Sequence, residues 1–122
     1  MLRGAHREIL LPVALYAELV ADDEVLPAFV TSLGEHGLLL DSLAILGNRS
    51  SDRLQIRLTL PGEPEPLWIG AEVVRDTHGY LFNDTAIRFL AMANAHWHSL
   101  RRWVRVRDLV LATRPISVHD AA

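Results

Sequence analysis

The sequence predicts a mainly β fold, an antiparallel barrel or curled sheet with one C-terminal helix over it, and three observations predict it. From Arg53 to Leu60 the chain reads RLQIRLTL, with Leu54, Ile56, Leu58 and Leu60 on one face, the two-residue period of a half-buried antiparallel strand. Five further strand-like segments lie in the same run of chain without the alternation of strand and helix that builds a parallel sheet. Beyond Leu90 the period changes: Trp97, Leu100, Trp103, Val104 and Leu111 follow helical spacing.

The first strand is expected from Ile9 to Val20, where Pro12 suits a strand start or edge and would break a helix. Asp22, Asp23 and Glu24 form a polar connection, and a second strand runs from Val25 to a stop near Ser32, where the turn-rich Ser-Leu-Gly-Glu-His-Gly begins. Leu38 to Ser42 is a short third strand, followed by the polar loop GNRSSD and the Arg53–Leu60 strand. The segment Pro61-Gly62-Glu63-Pro64-Glu65-Pro66 makes a stiff connection to a fifth strand bearing Leu67, Ile69, Ala71 and Val73. Thr85, Ile87 and Phe89 line one face of the sixth, which ends near Leu90. Asn94 is the expected N-cap of the helix, and Arg101, Arg102 and Arg105 fall elsewhere on its wheel. The boundaries are an N-terminal arm at 1–8, a barrel at 9–91 and a helix at 94–112 in one domain, with 113–122 as a frayed tail.

A chain of 122 residues, half of them apolar, has room for one core and one site. A formal charge of −3 and a pI near 6.0 leave no footprint for general binding to nucleic acid or an anionic membrane, so an anionic ligand must be met locally. All twelve basic residues are Arg, which suits phosphate and base edges and also arises from a GC-rich coding bias. Without Cys there is no disulfide, thiolate zinc site or cysteine nucleophile. The N-terminal apolar run is interrupted by Glu8, Pro12 and Glu18 and is not a signal peptide, and no segment is apolar for long enough to span a membrane; a soluble, cytoplasmic protein is expected.

Arg3 and Arg7 stand four apart just before the first strand, and guanidinium forks bind phosphate oxygens and the O6/N7 edge of guanine. The same spacing recurs at Arg53/Arg57 and Arg101/Arg105, so it is weak by itself. In the Ser32–Gly37 turn, Gly34 and Gly37 allow positive φ or close backbone approach, and Ser32 and His36 offer polar groups; a plain strand-to-strand turn reads the same way. His96 and His98 point to different helix faces and lack companion ligands, so no metal site is expected. No nucleophile elbow, P-loop or H-E-x-x-H motif is present, and no enzyme is expected. Arg101, Arg102 and Arg105 either meet an acidic protein partner or remain in water.

In this order and separation the two motifs resemble the PilZ domain family, with its R-x-x-x-R before the first strand and, further along, D/N-x-S-x-x-G at a strand end. RLTLPG, AEVVR and A-I-R-F before the helix add to a resemblance that covers roughly Arg3 to Arg107. It implies a six-stranded split barrel and a regulatory domain that binds cyclic di-GMP through Arg3, Arg7, Ser32, Gly34, His36 and Gly37 and acts on an unidentified protein partner, as a monomer or homodimer, without cofactor. The second motif departs from the pattern. With Gly37 as the motif glycine, Ser32 stands in place of Asp or Asn and Gly34 in place of Ser; with Ser32 as the motif serine, Val30 replaces the acid and two residues are inserted. Either way the carboxylate that contacts guanine in the family is missing, which makes an adaptor that ignores the nucleotide the main alternative. A barrel binding single-stranded nucleic acid is disfavoured by the acidic balance and the few aromatic residues.

Overall fold

A computed structural model describes residues 10–43, 51–79 and 81–113. Six strands, β1 (Leu11–Ala21), β2 (Glu24–Leu33), β3 (Gly37–Leu43), β4 (Arg53–Leu58), β5 (Leu67–His78) and β6 (Phe82–Met92), precede one helix, α1 (Asn94–Thr113). All pairings are antiparallel, and the sheet closes on itself in the order β1-β2-β3-β6-β5-β4. The closing seam is short, Ala17 to Val20 of β1 against Gln55 to Leu58 of β4. Among the described residues every strand therefore has a neighbour on both sides.

Alternation decides which residues fill the barrel. Leu15, Ala17 and Leu19 of β1, Leu54, Ile56 and Leu58 of β4 and Ile87 and Phe89 of β6 all point into one core. Leu60, just beyond β4, continues the same face and is fully buried. Between β1 and β2 the turn is only Asp22-Asp23, with φ of 52° and 66°. Both values lie in the left-handed region, so this is a mirror-image two-residue turn that matches the twist of its strands.

The helix lies across the barrel end where β1 begins and β2, β4 and β6 finish. Leu100, Trp103 and Val104 complete the core there. The Trp103 indole donates to the Pro61 carbonyl at 3.2 Å, and Trp97 meets Phe89 edge to face with ring centres 6.5 Å apart. At the helix start the Trp97 N–H donates to the Ala93 carbonyl, which makes Ala93 the cap and Asn94 the first helical residue, one position earlier than the sequence suggests. A second correction concerns Leu111: it is exposed together with Val106, Leu109 and Val110, because among the described residues the barrel packs against the earlier turns of the helix, at Leu100, Trp103 and Val104.

Candidate functional site

The turn between β2 and β3 is shaped by two irregularities. Pro12 lies opposite Ser32 and Leu15 opposite Val30, so β1 carries one extra residue there. In turn, Val30 lies opposite Leu40 and Ser32 opposite Leu39, so β2 carries one extra residue, Thr31, relative to β3. A bulge of this kind reverses the in-out parity of the residues after it. Val30 points into the core and, after the bulge, Leu33 does too, both with 0% exposure, while Ser32 is left half-buried on the outer side of the wall.

Gly37 opens β3 opposite Arg88 of β6. A Cβ at this position would stand 2.4 Å from the Ile87 carbonyl oxygen, closer than real Cβ atoms come. Glycine is needed here for close approach and not for a left-handed φ, which among the described glycines occurs at Gly62 instead. Two backbone hydrogen bonds hold the turn: Gly34 N–H to the Gly37 carbonyl at 2.9 Å, and Phe89 N–H to the His36 carbonyl at 2.8 Å. The turn is therefore a rigid rim with Ser32 outward, the His36 side chain exposed and the Gly34 backbone buried.

The structure brings Ser32, Gly34, His36 and Gly37 together. Arg3 and Arg7 lie outside the described residues, as do the rest of the 1–8 arm and the tail beyond Thr113. Sequence reasoning missed Glu35. Its carboxylate receives Arg105 Nε at 3.1 Å and faces Arg101 Nε at 3.7 Å, so the turn is tied to the helix. Arg101 is further placed by the Trp97 ring, 5.2 Å from its guanidinium carbon. On the opposite rim Arg102 faces Glu63 at 3.6 Å. Thus Arg101, Arg102 and Arg105 all make ion pairs within this chain. The only sequence signal for the Glu35 contact was a lone acid inside a glycine-rich turn and two arginines four apart on a helix.

Elsewhere on the outer wall Arg88 pairs with Glu72 across β5 and β6, and Arg57 pairs with Glu18 at 3.0 Å while lying over the Trp68 ring. His96 Nδ1 accepts the Trp68 backbone N–H at 3.3 Å, which gives this histidine a structural contact to the barrel. Among the described residues no group of three or more His, Cys, Asp or Glu side chains is arranged to hold a metal ion. No helix among them is long and apolar enough to cross a membrane.

Comparison with known proteins gives a consistent picture. Residues 2–106 match the family model of the PilZ domain. No curated protein sequence matches. Among solved structures, the inhibitor of motility MotI/DgrA of Bacillus subtilis superposes with a TM-score of 0.72 at 15% identity, over 89% of this chain and 52% of that one. The PilZ domain of YcgR from Escherichia coli, solved with c-di-GMP, gives 0.67 at 13% identity, over 91% and 98%. PlzA of Borreliella burgdorferi, in complex with c-di-GMP, gives 0.65 at 12% identity, over 93% and 56%. At these identities the likeness is one of fold. The chain spans about half the length of MotI and PlzA and nearly all of the isolated YcgR domain.

Proposed function

This chain belongs to the PilZ domain family, and from that premise we propose that it is a cyclic di-GMP receptor acting in the cytoplasm on a protein partner. The family consists of regulatory receptor domains, and two of the similar structures hold c-di-GMP. The observation that carries the reading is the match over residues 2–106, which includes Arg3 and Arg7 together with a turn whose polar groups face outward. In this reading Arg3 and Arg7 supply guanidinium forks to phosphate and guanine, and the Ser32–Gly37 rim gives them a fixed surface to fold against.

The parity of the turn supports one alignment over the other. Val30 is fully buried, so a carboxylate there would enter the core and not the ligand surface. Ser32 is outward and Gly37 is the residue whose backbone must approach its neighbour. Ser32-Leu33-Gly34-Glu35-His36-Gly37 then takes the place of D/N-x-S-x-x-G with strict spacing. A serine hydroxyl replaces the carboxylate or amide and Gly34 leaves out the serine hydroxyl, so this rim holds guanine with fewer hydrogen bonds than the family pattern supplies. The same deficit favours the adaptor as the second reading.

Calorimetric titration with cyclic di-GMP, beside cyclic di-AMP as the control for the base, tests the proposal. Saturable heat with the guanine nucleotide alone is the expected result. No response to either up to millimolar ligand would favour the adaptor, and an equal response to both would contradict recognition of guanine.

A further inference from the structure

Two of the helix arginines converge on the candidate site, and their partner is an acid of the site itself. Glu35 sits between Gly34 and His36 on the rim, and each of its carboxylate oxygens faces a different guanidinium: Oε2 the Nε of Arg105 at 3.1 Å, Oε1 the Nε of Arg101 at 3.7 Å. Trp97 beneath Arg101 fixes one of the two, and the helix backbone, anchored by Trp103 on Pro61 and Leu100 in the core, fixes the spacing of both. A pair of guanidiniums held around one oxyanion is also how a phosphodiester is bound.

We propose that Arg101 and Arg105 are a further phosphate-binding element of this site, masked by Glu35, which acts as an internal anion. The inference rests on the cyclic di-GMP reading and extends it to helix residues outside both motifs. A ligand carrying two phosphodiester charges, set against Ser32, lies close to a carboxylate that repels it. Turning the two guanidiniums from Glu35 to a phosphate offsets that repulsion by pairing the ligand's charge directly, and leaves the Glu35 carboxylate to water. The exchange is inexpensive, because side-chain exposure is 24% for Glu35, 45% for Arg101 and 70% for Arg105, and ion pairs this open to water contribute little to stability. Since Arg101 and Arg105 belong to the helix and Glu35 to the barrel, the exchange trades one tie between helix and rim for another made through the ligand.

The test is calorimetric titration of the whole chain with cyclic di-GMP, comparing wild type, Glu35→Gln, the Arg101→Gln/Arg105→Gln pair and the triple variant, with thermal melts to show that each is folded. Glu35→Gln is expected to bind about three- to tenfold more tightly, the combined effect of two exposed charge pairs, with a steeper dependence on salt. The gain should vanish in the triple variant, and the arginine pair alone should bind more weakly than wild type. Binding by Glu35→Gln where wild type shows none supports the mask directly. Unchanged or weaker binding in Glu35→Gln, with wild type titrating normally, overturns the inference and leaves the receptor reading intact. A gain that persists without the two arginines also overturns it, because Glu35 would then act only by its own charge. No binding by either wild type or Glu35→Gln overturns both.

Discussion

At the scale of single residues, backbone geometry and parity lead to three predictions. Asp23 has φ of 66° in a two-residue hairpin turn where an aspartate followed by glycine is the preferred pair. Asp23→Gly should therefore stabilise the protein by about 0.5–1 kcal/mol, read as a raised urea midpoint at unchanged slope. At Gly37 the sign reverses. The Cβ of Gly37→Ala would meet the Ile87 carbonyl at 2.4 Å, within a rigid pair of strands. A loss of about 1–3 kcal/mol is expected, measured by the same denaturation. Val30 and Ser32 make the third prediction. Val30→Asp places a carboxylate in the core and should cost at least about 3 kcal/mol. Ser32→Asp leaves the fold intact and should tighten cyclic di-GMP binding about tenfold, the worth of one charge-assisted hydrogen bond. If Val30→Asp is as stable as wild type, the assigned parity of the turn is wrong.

At the scale of elements, alternation in the sequence revealed the strands wherever it was unbroken, and missed their ends wherever a bulge shifted it. The β4 pattern Leu54, Ile56, Leu58, Leu60 is inward throughout. By contrast β5 runs to His78, well beyond Val73, because register shifts at Gly70/Ala71 and Val73/Arg75 interrupt the period that sequence reading relies on. The bulge at Thr31 that turns Ser32 outward was invisible for the same reason: it exists only relative to a partner strand. Arg101 and Arg105 were visible as a charge cluster, but their common partner is about seventy positions away, beyond the reach of any local pattern. Leu111 was misplaced because helical spacing identifies an apolar stripe but not where the barrel beneath it stops. The helix accordingly divides in energy. Leu100→Ala should cost about 2–5 kcal/mol, whereas Leu109→Ser, on an exposed turn, should stay within about 0.5 kcal/mol of wild type. Thermal unfolding monitored by circular dichroism separates the two.

At the scale of the whole molecule, a closed antiparallel sheet with a helix pinned over one end holds the Ser32–Gly37 rim, the fixed surface that the proposed receptor requires. The helix touches the loop that holds Pro61 and Glu63 on one side and the turn at Glu35 on the other, so an event at the turn bears on the helix through a short mechanical path. Fold class was legible because it is set by the order and period of segments. The closure of β1 onto β4, and with it the placement of the turn beneath the helix, depends on pairings that no single segment encodes. The central claim is that Arg3 and Arg7 bind cyclic di-GMP together with the Ser32–Gly37 rim. Calorimetric titration of wild type beside the Arg3→Ala/Arg7→Ala double variant tests it most directly. Saturable binding by wild type is expected, lost in the double variant while its melting temperature is kept; binding that survives removal of both arginines would contradict the claim.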